Sequence, residues 1–392
     1  MRICDLTQFY SPFSGGVKRY LHEKIAFIQQ HRPDDEHILI IPGRKTETTT
    51  DPQSRIYSIR SPLVSRSARY RALINLRAVE EVLERERPHI VESSDPYQLG
   101  WKAIASGHAL GIPVVAYYHS HFVEAYVRRA ARVLGLTGRE AVMHMARRYV
   151  RNLYNRFAAT FVPSQRLADI LTEWGVTNVR IVHLGVNVHI FNPGADAEGG
   201  MRQALRIAPE QKLLLYVGRL AQEKNTDTLF TAFDLLTNRR PNEFHLMVIG
   251  DGPHRQQLLD LQRRNQNVSW IQYCNNPAEL ARYYCAADLF VHPGTQETFG
   301  LVTLESQACG TPVVGIRGSR MDQIIFHQQE TWADENTPGA LADAIEQTIG
   351  RLVPGDAGCA AAQVAADLYR WERVFDQLFC IYAEVCRNYR RL

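Results

Sequence analysis

At 392 residues the chain exceeds one ordinary hydrophobic core, so two domains are expected. Its 45% apolar and 22% charged residues exclude a disordered chain, and its longest apolar runs, HILIIP and KLLLYVG, are too short to cross a bilayer. The net charge of +4 is uneven: residues 1–195 hold 26 Lys and Arg against 17 Asp and Glu, and the remainder 19 against 24. That asymmetry points to an anionic partner for the first half.

Taken in chain order, RICDLT opens as a buried strand, and MRICDLTQFY has no apolar signal-peptide core, so the cytoplasm is the expected compartment. A loop with Gly15 and Gly16 then leads into a helix near Val17. Glycines there let a ligand or another backbone come close, and a helix N-terminus favours anions, but an ordinary strand-to-helix turn has the same composition. HILIIP, HIVESS, PVVAYYH, ATFVPS and VRIVHLG continue as short buried strands separated by helical or loop stretches. His119 and His121 follow PVVAYY, where alternation sets both on one side of a strand end. The stretch from Arg128 to Arg156 carries eight arginines, with Val142, Met145, Tyr149, Leu153 and Phe157 at helical spacing. It reads as a basic amphipathic helix that either covers its own sheet or lies on an anionic membrane.

Val186–Gly200, rich in Gly, Pro, Asn and Asp, reads as a linker. The series restarts with KLLLYVG, HLMVIGDG, VSWIQY, DLFVHPG and TPVVGI, giving two doubly wound α/β domains with ligands beyond the carboxyl ends of the strands. Arg219 and Lys224 follow KLLLYV directly. They suit a diphosphate clamp at a helix start, or a pair of surface charges in which Lys224 meets Glu223. In VIGDGPHRQQL, Asp251 reads as a turn or cap residue and Gly252 as the glycine in an unusual backbone angle. Glu297 sits in a loop and Glu305 on the helix after it, a pattern a solvated helix face also produces. Seven scattered cysteines form no CxxC pair, so neither a disulfide framework nor a metal site is expected.

The order SGGV, HSH, VGRLAQEKN, IGDGP and QETFGLVTLESQACGTPVVG resembles that of the retaining glycosyltransferases of family 4, along nearly the whole chain. WERVFDQLFCIYAEV is similar to the terminal helix of that family. The resemblance implies the GT-B fold, two facing Rossmann-like domains with a C-terminal helix crossing back to the first. Residues 1–190 would form the acceptor-side domain, 191–368 the nucleotide-sugar domain and 369–392 the returning helix. It implies that Arg219 and Lys224 bind the donor diphosphate, that Glu297 holds the transferred sugar and Glu305 the ribose. Thr298, Phe299, Gly300, Leu301 and Val302 would present the helix start to sugar and phosphate, with Tyr273, Asn275 and Asn276 near the base. Gly15 and Gly16 would lie across from the diphosphate, and His119 would line the reaction centre, with His121 the other candidate. Lys18 after GGV and Ser120 after His119 depart from the residues many relatives carry.

The expected activity is thus retaining hexosyl transfer from a nucleotide diphosphate sugar to an acceptor hydroxyl, without a metal or other cofactor, in envelope or exported polysaccharide synthesis. The expected donor is a UDP-hexose such as UDP-glucose, with GDP-mannose the alternative. A nucleotide-sugar epimerase or a non-catalytic binding protein are the rival readings. The expected acceptor is a sugar, a lipid-linked sugar or a small molecule. Peripheral membrane contact through the basic first domain is the companion expectation, and nucleic acid is not an expected partner.

Overall fold

The computed structural model describes residues 1–10, 16–64, 70–119, 123, 135–295, 297–319, 324–326, 329–352 and 356–389. Gly15, His121 and the arginines at 128, 129 and 132 lie outside that set. The chain divides into two compact units, one of Met1–Leu184 with Trp371–Leu392 and one of Gly185–Arg370.

The first unit runs β1 (Arg2–Leu6), α1 (Gly16–His31), β2 (Glu36–Gly43), β3 (Glu47–Asp51), β4 (Ser54–Arg60), α2 (Leu76–Glu86), β5 (Ile90–Ser93), α3 (Gln98–Leu110), β6 (Val114–Tyr117), α4 (Gly135–Tyr154), β7 (Thr160–Val162), α5 (Gln165–Glu173) and β8 (Val179–Ile181). The strands lie in the order β3-β4-β2-β1-β5-β6-β7-β8, all parallel except β3, which pairs antiparallel with β4. Interior strands are covered on both faces, so β1, β2 and β5 are buried along almost their whole length, with Asp5 and Glu92 as polar residues inside that burial. The β3–β4 hairpin was not legible in the sequence. Its outer strand, Glu-Thr-Thr-Thr-Asp, is exposed along its whole length, as suits an edge that must not recruit another strand.

The basic helix α4 is present, and its buried stripe agrees with the expected one at Leu153, and at Phe157 just past its end, but departs from it at Met145. Met143, Val150, Leu153 and Tyr154 are buried, whereas Met145 is 61% exposed. Tyr149 sits at the margin, its hydroxyl donating to the Pro96 carbonyl at 2.7 Å and accepting from Trp101 Nε1 at 3.2 Å. Those bonds fix the rotation of the helix more strongly than apolar spacing does. Among the described residues, no helix is long and apolar enough to cross a membrane.

The C-terminal helix (Trp371–Tyr389) packs on α1 through Trp371, Val374, Phe375, Leu378, Phe379 and Tyr382, a stripe at helical spacing. Phe27 of α1 lies 5.4 Å from Phe375 and 5.5 Å from Phe379 between ring centroids. Beneath this contact Lys24 is fully buried. Its ammonium donates to both Asp5 oxygens at 2.9 and 3.1 Å, to Glu92 Oε1 at 3.1 Å and to the Tyr382 hydroxyl at 3.0 Å. Tyr382 and Tyr20 donate to Glu92, and His37 meets Asp5. Burial alone would raise both carboxyls. Lys24 and His37 reverse that for Asp5, which is held well below the usual range, while burial wins at Glu92 and lifts it to about 7.

The second unit runs α6 (Gly200–Ala204), β9 (Lys212–Val217), α7 (Thr226–Arg239), β10 (Phe244–Ile249), α8 (Arg255–Arg264), β11 (Val268–Ile271), α9 (Pro277–Ala286), β12 (Leu289–Val291), α10 (Leu301–Ala308), β13 (Val313–Val314), α11 (Pro338–Arg351) and α12 (Asp356–Tyr369). Its parallel sheet has the order β11-β10-β9-β12-β13. The chain enters this unit at Gly185, and Val186 N–H donates to the Tyr369 carbonyl at 2.7 Å beside the point of exit.

Replacing Lys24 by Met leaves Glu92 without a cation and Asp5 with His37 alone. Urea denaturation of the Lys24→Met variant is expected to show a loss of about 3–5 kcal/mol in the stability of the first unit.

Candidate functional site

In the second unit, β9 continues through α7 to β10 on one side, whereas β12 continues through α10 to β13 on the other. The winding reverses between the ends of β9 and β12, where such sheets carry a ligand crevice. The two loops that border it are residues 218–225 and 292–300.

The first loop is clamped by backbone. Leu220 N–H donates to the Asp251 carbonyl at 3.0 Å and the Leu220 carbonyl accepts from His254 N–H at 2.9 Å. A Cβ on Gly252 would lie 2.3 Å from the Leu220 oxygen, and one on Gly250 1.8 Å from the Gly218 oxygen. Close approach, not an unusual angle, is therefore what requires Gly252. The positive φ, 147°, belongs to Gly250. Asp251 accepts from Gly252 N–H at 2.8 Å and from Gln272 at 2.6 Å, which makes it a turn residue.

Charges rise from this clamped loop toward the crevice. Arg219 pairs with Glu223, and Lys224 reaches across to Glu297 in the second loop. Lys224 thus bypasses its sequence neighbour Glu223. Arg219 is 52% exposed, Lys224 31% and Glu297 12%, so the acid is the enclosed member and the cations face outward. His292, at the end of β12, brings Nε2 to 3.4 Å from Glu297 Oε1, while its Nδ1 is buried with no hydrogen-bond partner. Burial would raise the Glu297 carboxyl, but the Lys224 charge and the His292 bond outweigh it and hold the group well below the carboxylate range. Asn225, in a left-handed conformation at φ 57°, ties the loops together by donating from Nδ2 to the Pro293 carbonyl at 2.9 Å.

The remaining expected residues fall into three groups. Thr298 and the buried Phe299 precede α10, whose cap Gly300 has φ 89° and leads into Leu301 and Val302 at the helix start. That backbone angle favours glycine and turns the first helical N–H groups outward. Glu305 is buried within the same helix, one carboxylate oxygen accepting from the Tyr284 hydroxyl at 3.2 Å. Tyr273 and Asn275 are exposed after β11, while Asn276 caps α9 through a bond from Ala278 N–H at 3.0 Å. Gly16 starts α1 in the first unit.

His119, also in the first unit, follows β6 and stacks on Tyr117 at 4.0 Å between centroids, with Tyr20 edge-on at 5.0 Å. Its Nε2 is enclosed and without a hydrogen-bond partner. Burial, aided by the Lys24 charge, lowers its pKa to about 3, so the ring is neutral at physiological pH.

His292 and Asn225 were missed in the sequence. The available signal was position: His292 directly follows β12 and Asn225 directly precedes α7, each in a loop at the winding reversal. Among the described residues, no group of three His, Cys, Asp or Glu is arranged to hold a metal ion.

Comparison with known proteins follows this division of the chain. The family model Glycosyltransferase Family 4 matches residues 14–190, and the model Glycosyl transferases group 1 matches residues 200–350. A GDP-mannose-dependent alpha-(1-6)-phosphatidylinositol dimannoside mannosyltransferase of Mycobacterium tuberculosis is 29% identical over 95% of this chain and 93% of its own. A GDP-mannose-dependent alpha-mannosyltransferase of Corynebacterium glutamicum is 27% identical over 86% of this chain and 77% of its own. Among solved structures, the sucrose-phosphate synthase of Thermosynechococcus elongatus superposes with a TM-score of 0.78 at 20% identity, covering 98% of both chains. This similarity shows the fold, GT-B.

The Lys224–Glu297 pair carries a pH signature. Because the folded pKa of Glu297 is depressed, its stabilisation is complete above the ordinary carboxylate value of about 4.3 and fades as pH falls below it. Lys224→Met is expected to cost about 1–3 kcal/mol at pH 7. Denaturation at several pH values should show that difference narrowing toward pH 3.

Proposed function

The chain belongs to the family 4 glycosyltransferases of GT-B architecture, and from that premise we propose that it transfers mannose from GDP-mannose to an acceptor hydroxyl with retention of configuration. The observation that carries the reading is the reach of Lys224 across the winding reversal to Glu297, with Arg219 exposed beside it. GDP-mannose is preferred over a UDP-hexose because both mannosyltransferase relatives match over most of their length.

In the proposed complex the donor diphosphate lies against Arg219, Lys224 and the start of α10, which together supply the positive potential a dianionic leaving group needs. The ionised Glu297 accepts hydrogen bonds from vicinal hydroxyls of the mannosyl ring, and Glu305 takes those of the ribose. The bond from the anomeric carbon to the diphosphate oxygen breaks as the acceptor oxygen approaches from the same face. The departing oxygen takes the acceptor proton, so configuration is kept and no separate protein base is required. Arg219 and Lys224 act mainly in that step, stabilising the charge that grows on the diphosphate. His119, neutral and pre-stacked, is the hydrogen-bonding group that the first unit offers to a substrate hydroxyl.

A thermal-shift panel of GDP, UDP, GDP-mannose and UDP-glucose should show the largest rise with the guanosine ligands, since a ligand that binds only the folded state raises the midpoint. A rise with UDP-glucose alone would reassign the donor. The Arg219→Ala variant is expected to lose at least ~100-fold in kcat with an unchanged circular dichroism spectrum. Near-normal transfer by that variant would remove the diphosphate-clamp role. Product anomer analysis by NMR checks retention, and conversion of donor without acceptor would favour an epimerase.

A further inference from the structure

The first unit has its own winding reversal. Its strand order places the crossover point between β1, which continues through α1 to β2, and β5, which continues through α3 to β6. Gln8 and Phe9 follow β1, and Ser94, Asp95 and Tyr97 follow β5. The two loops are joined where Ser94 N–H donates to the Leu6 carbonyl at 3.1 Å. A ligand crevice is expected there by the same rule that locates the site of the second unit.

Asp95 stands out at this point. It is only 2% exposed, and its Oδ1 accepts from Tyr97 N–H at 2.7 Å. Its Oδ2 is buried with no hydrogen-bond partner. The Gln8 side chain reaches the same carboxyl, and no cation among the described residues accompanies it. Among the described residues the other buried carboxylates are all matched: Asp5 by Lys24 and His37, Glu92 by Lys24 and two tyrosines, Glu86 by Arg55 and Tyr57, Glu305 by Tyr284. Several buried polar atoms of the described residues lack a partner, and Asp95 Oδ2 is the carboxylate oxygen among them; its place at a crossover where such sheets bind ligands is what singles it out.

We infer that Asp95, with Gln8 beside it and the Phe9–Tyr97 ring pair near it, is an acceptor-recognition residue that bonds a hydroxyl of a neutral sugar or cyclitol. The inference rests on the glycosyl transfer proposed above, which requires a second substrate bearing a hydroxyl. The chemistry fits a neutral polyol. Burial lifts the Asp95 carboxyl to about 7, so both its protonated and ionised forms are populated near neutrality, and the ionised form makes the stronger, charge-assisted bond to a hydroxyl. The groups that face it, Tyr97, Tyr149 and Tyr154, carry hydroxyls and no charge. Phe9 and Tyr97 lie 6.2 Å apart between centroids, and Tyr97 keeps 38% of its surface exposed, which offers an apolar face to the C–H side of a sugar ring.

The test is steady-state transfer from GDP-mannose to methyl α-D-mannoside and to myo-inositol, by the wild type, Asp95→Asn and Asp95→Leu. The Asn variant is nearly isosteric and keeps the fold testable, with circular dichroism as the check. Its KM for the acceptor should rise at least tenfold, while the GDP-induced thermal shift stays at the wild-type value. The wild-type acceptor kcat/KM should also bend near pH 7, and the Asn variant should lack that bend. Acceptor KM within twofold of wild type in both variants would overturn the inference, as would loss of the GDP shift together with acceptor affinity. A wild-type enzyme that releases GDP from GDP-mannose but transfers to neither polyol overturns the polyol assignment alone. One that neither binds nor turns over any nucleotide sugar overturns the proposed function instead.

Discussion

Parallel sheets joined by right-handed crossovers must leave a gap between their covering helices wherever the winding changes direction, and that constraint shapes each unit of this protein. The chain places its unusual chemistry at these two gaps. In the second unit the gap is bridged by the Lys224–Glu297 pair, and in the first it holds the unmatched Asp95 carboxyl. Lys24 lies beneath the α1 contact with the C-terminal helix, bonded to Asp5 of β1 and Glu92 of β5, and its complete burial separates the charges that hold the fold together from those left facing a ligand.

The contrast between Lys24 and Lys224 shows how burial divides those tasks. Lys24 is wholly enclosed, and its ammonium hydrogens are fully committed to Asp5, Glu92 and Tyr382. An ion held that way is costly to disturb and has nothing left to offer a substrate. Lys224 makes one strong contact to an enclosed acid and keeps about a third of its surface in solvent. Its partner stays ionised under all ordinary conditions, so both groups are charged and oriented before any phosphate or hydroxyl arrives. The rigid backbone clamp of Gly250 and Gly252 on the loop carrying Arg219 serves the same end, fixing a flexible cation on a stiff support.

Most of the architecture was legible because interior parallel strands are largely apolar. HILIIP and KLLLYV could hardly be anything else, and HIVESS keeps only its Ile-Val pair as that signal. The β3–β4 edge hairpin was not, since a strand with one partner and no covering helix has no reason to be apolar. The α4 stripe departs from the expected one at Met145 for a related reason: the Tyr149 hydroxyl bonds set the helix rotation, and hydrogen bonds leave no trace in apolar spacing. At the site, Arg219, Lys224 and Glu297 were visible as charges at strand ends. Their pairing was not, because the loop carrying Glu297 is 73 residues from Lys224 and reaches it only through sheet order. Asp95 was hidden in ESSDP, where an acid before proline reads as a turn.

The position of Tyr382 has a consequence for how the molecule is made. The second unit is one continuous stretch, Gly185–Arg370, whereas the first needs residues from both ends of the chain. Until the final helix leaves the ribosome, Lys24 and Glu92 lack the Tyr382 hydroxyl and the ring stack above them, and the face of α1 built for Phe375 and Phe379 is open to water. The unit translated first is thus the unit completed last. Synthesis of this protein leaves an apolar, partly charged groove exposed for the time it takes to translate the whole second unit, which makes that interval the period of greatest exposure to misassembly and chaperone capture.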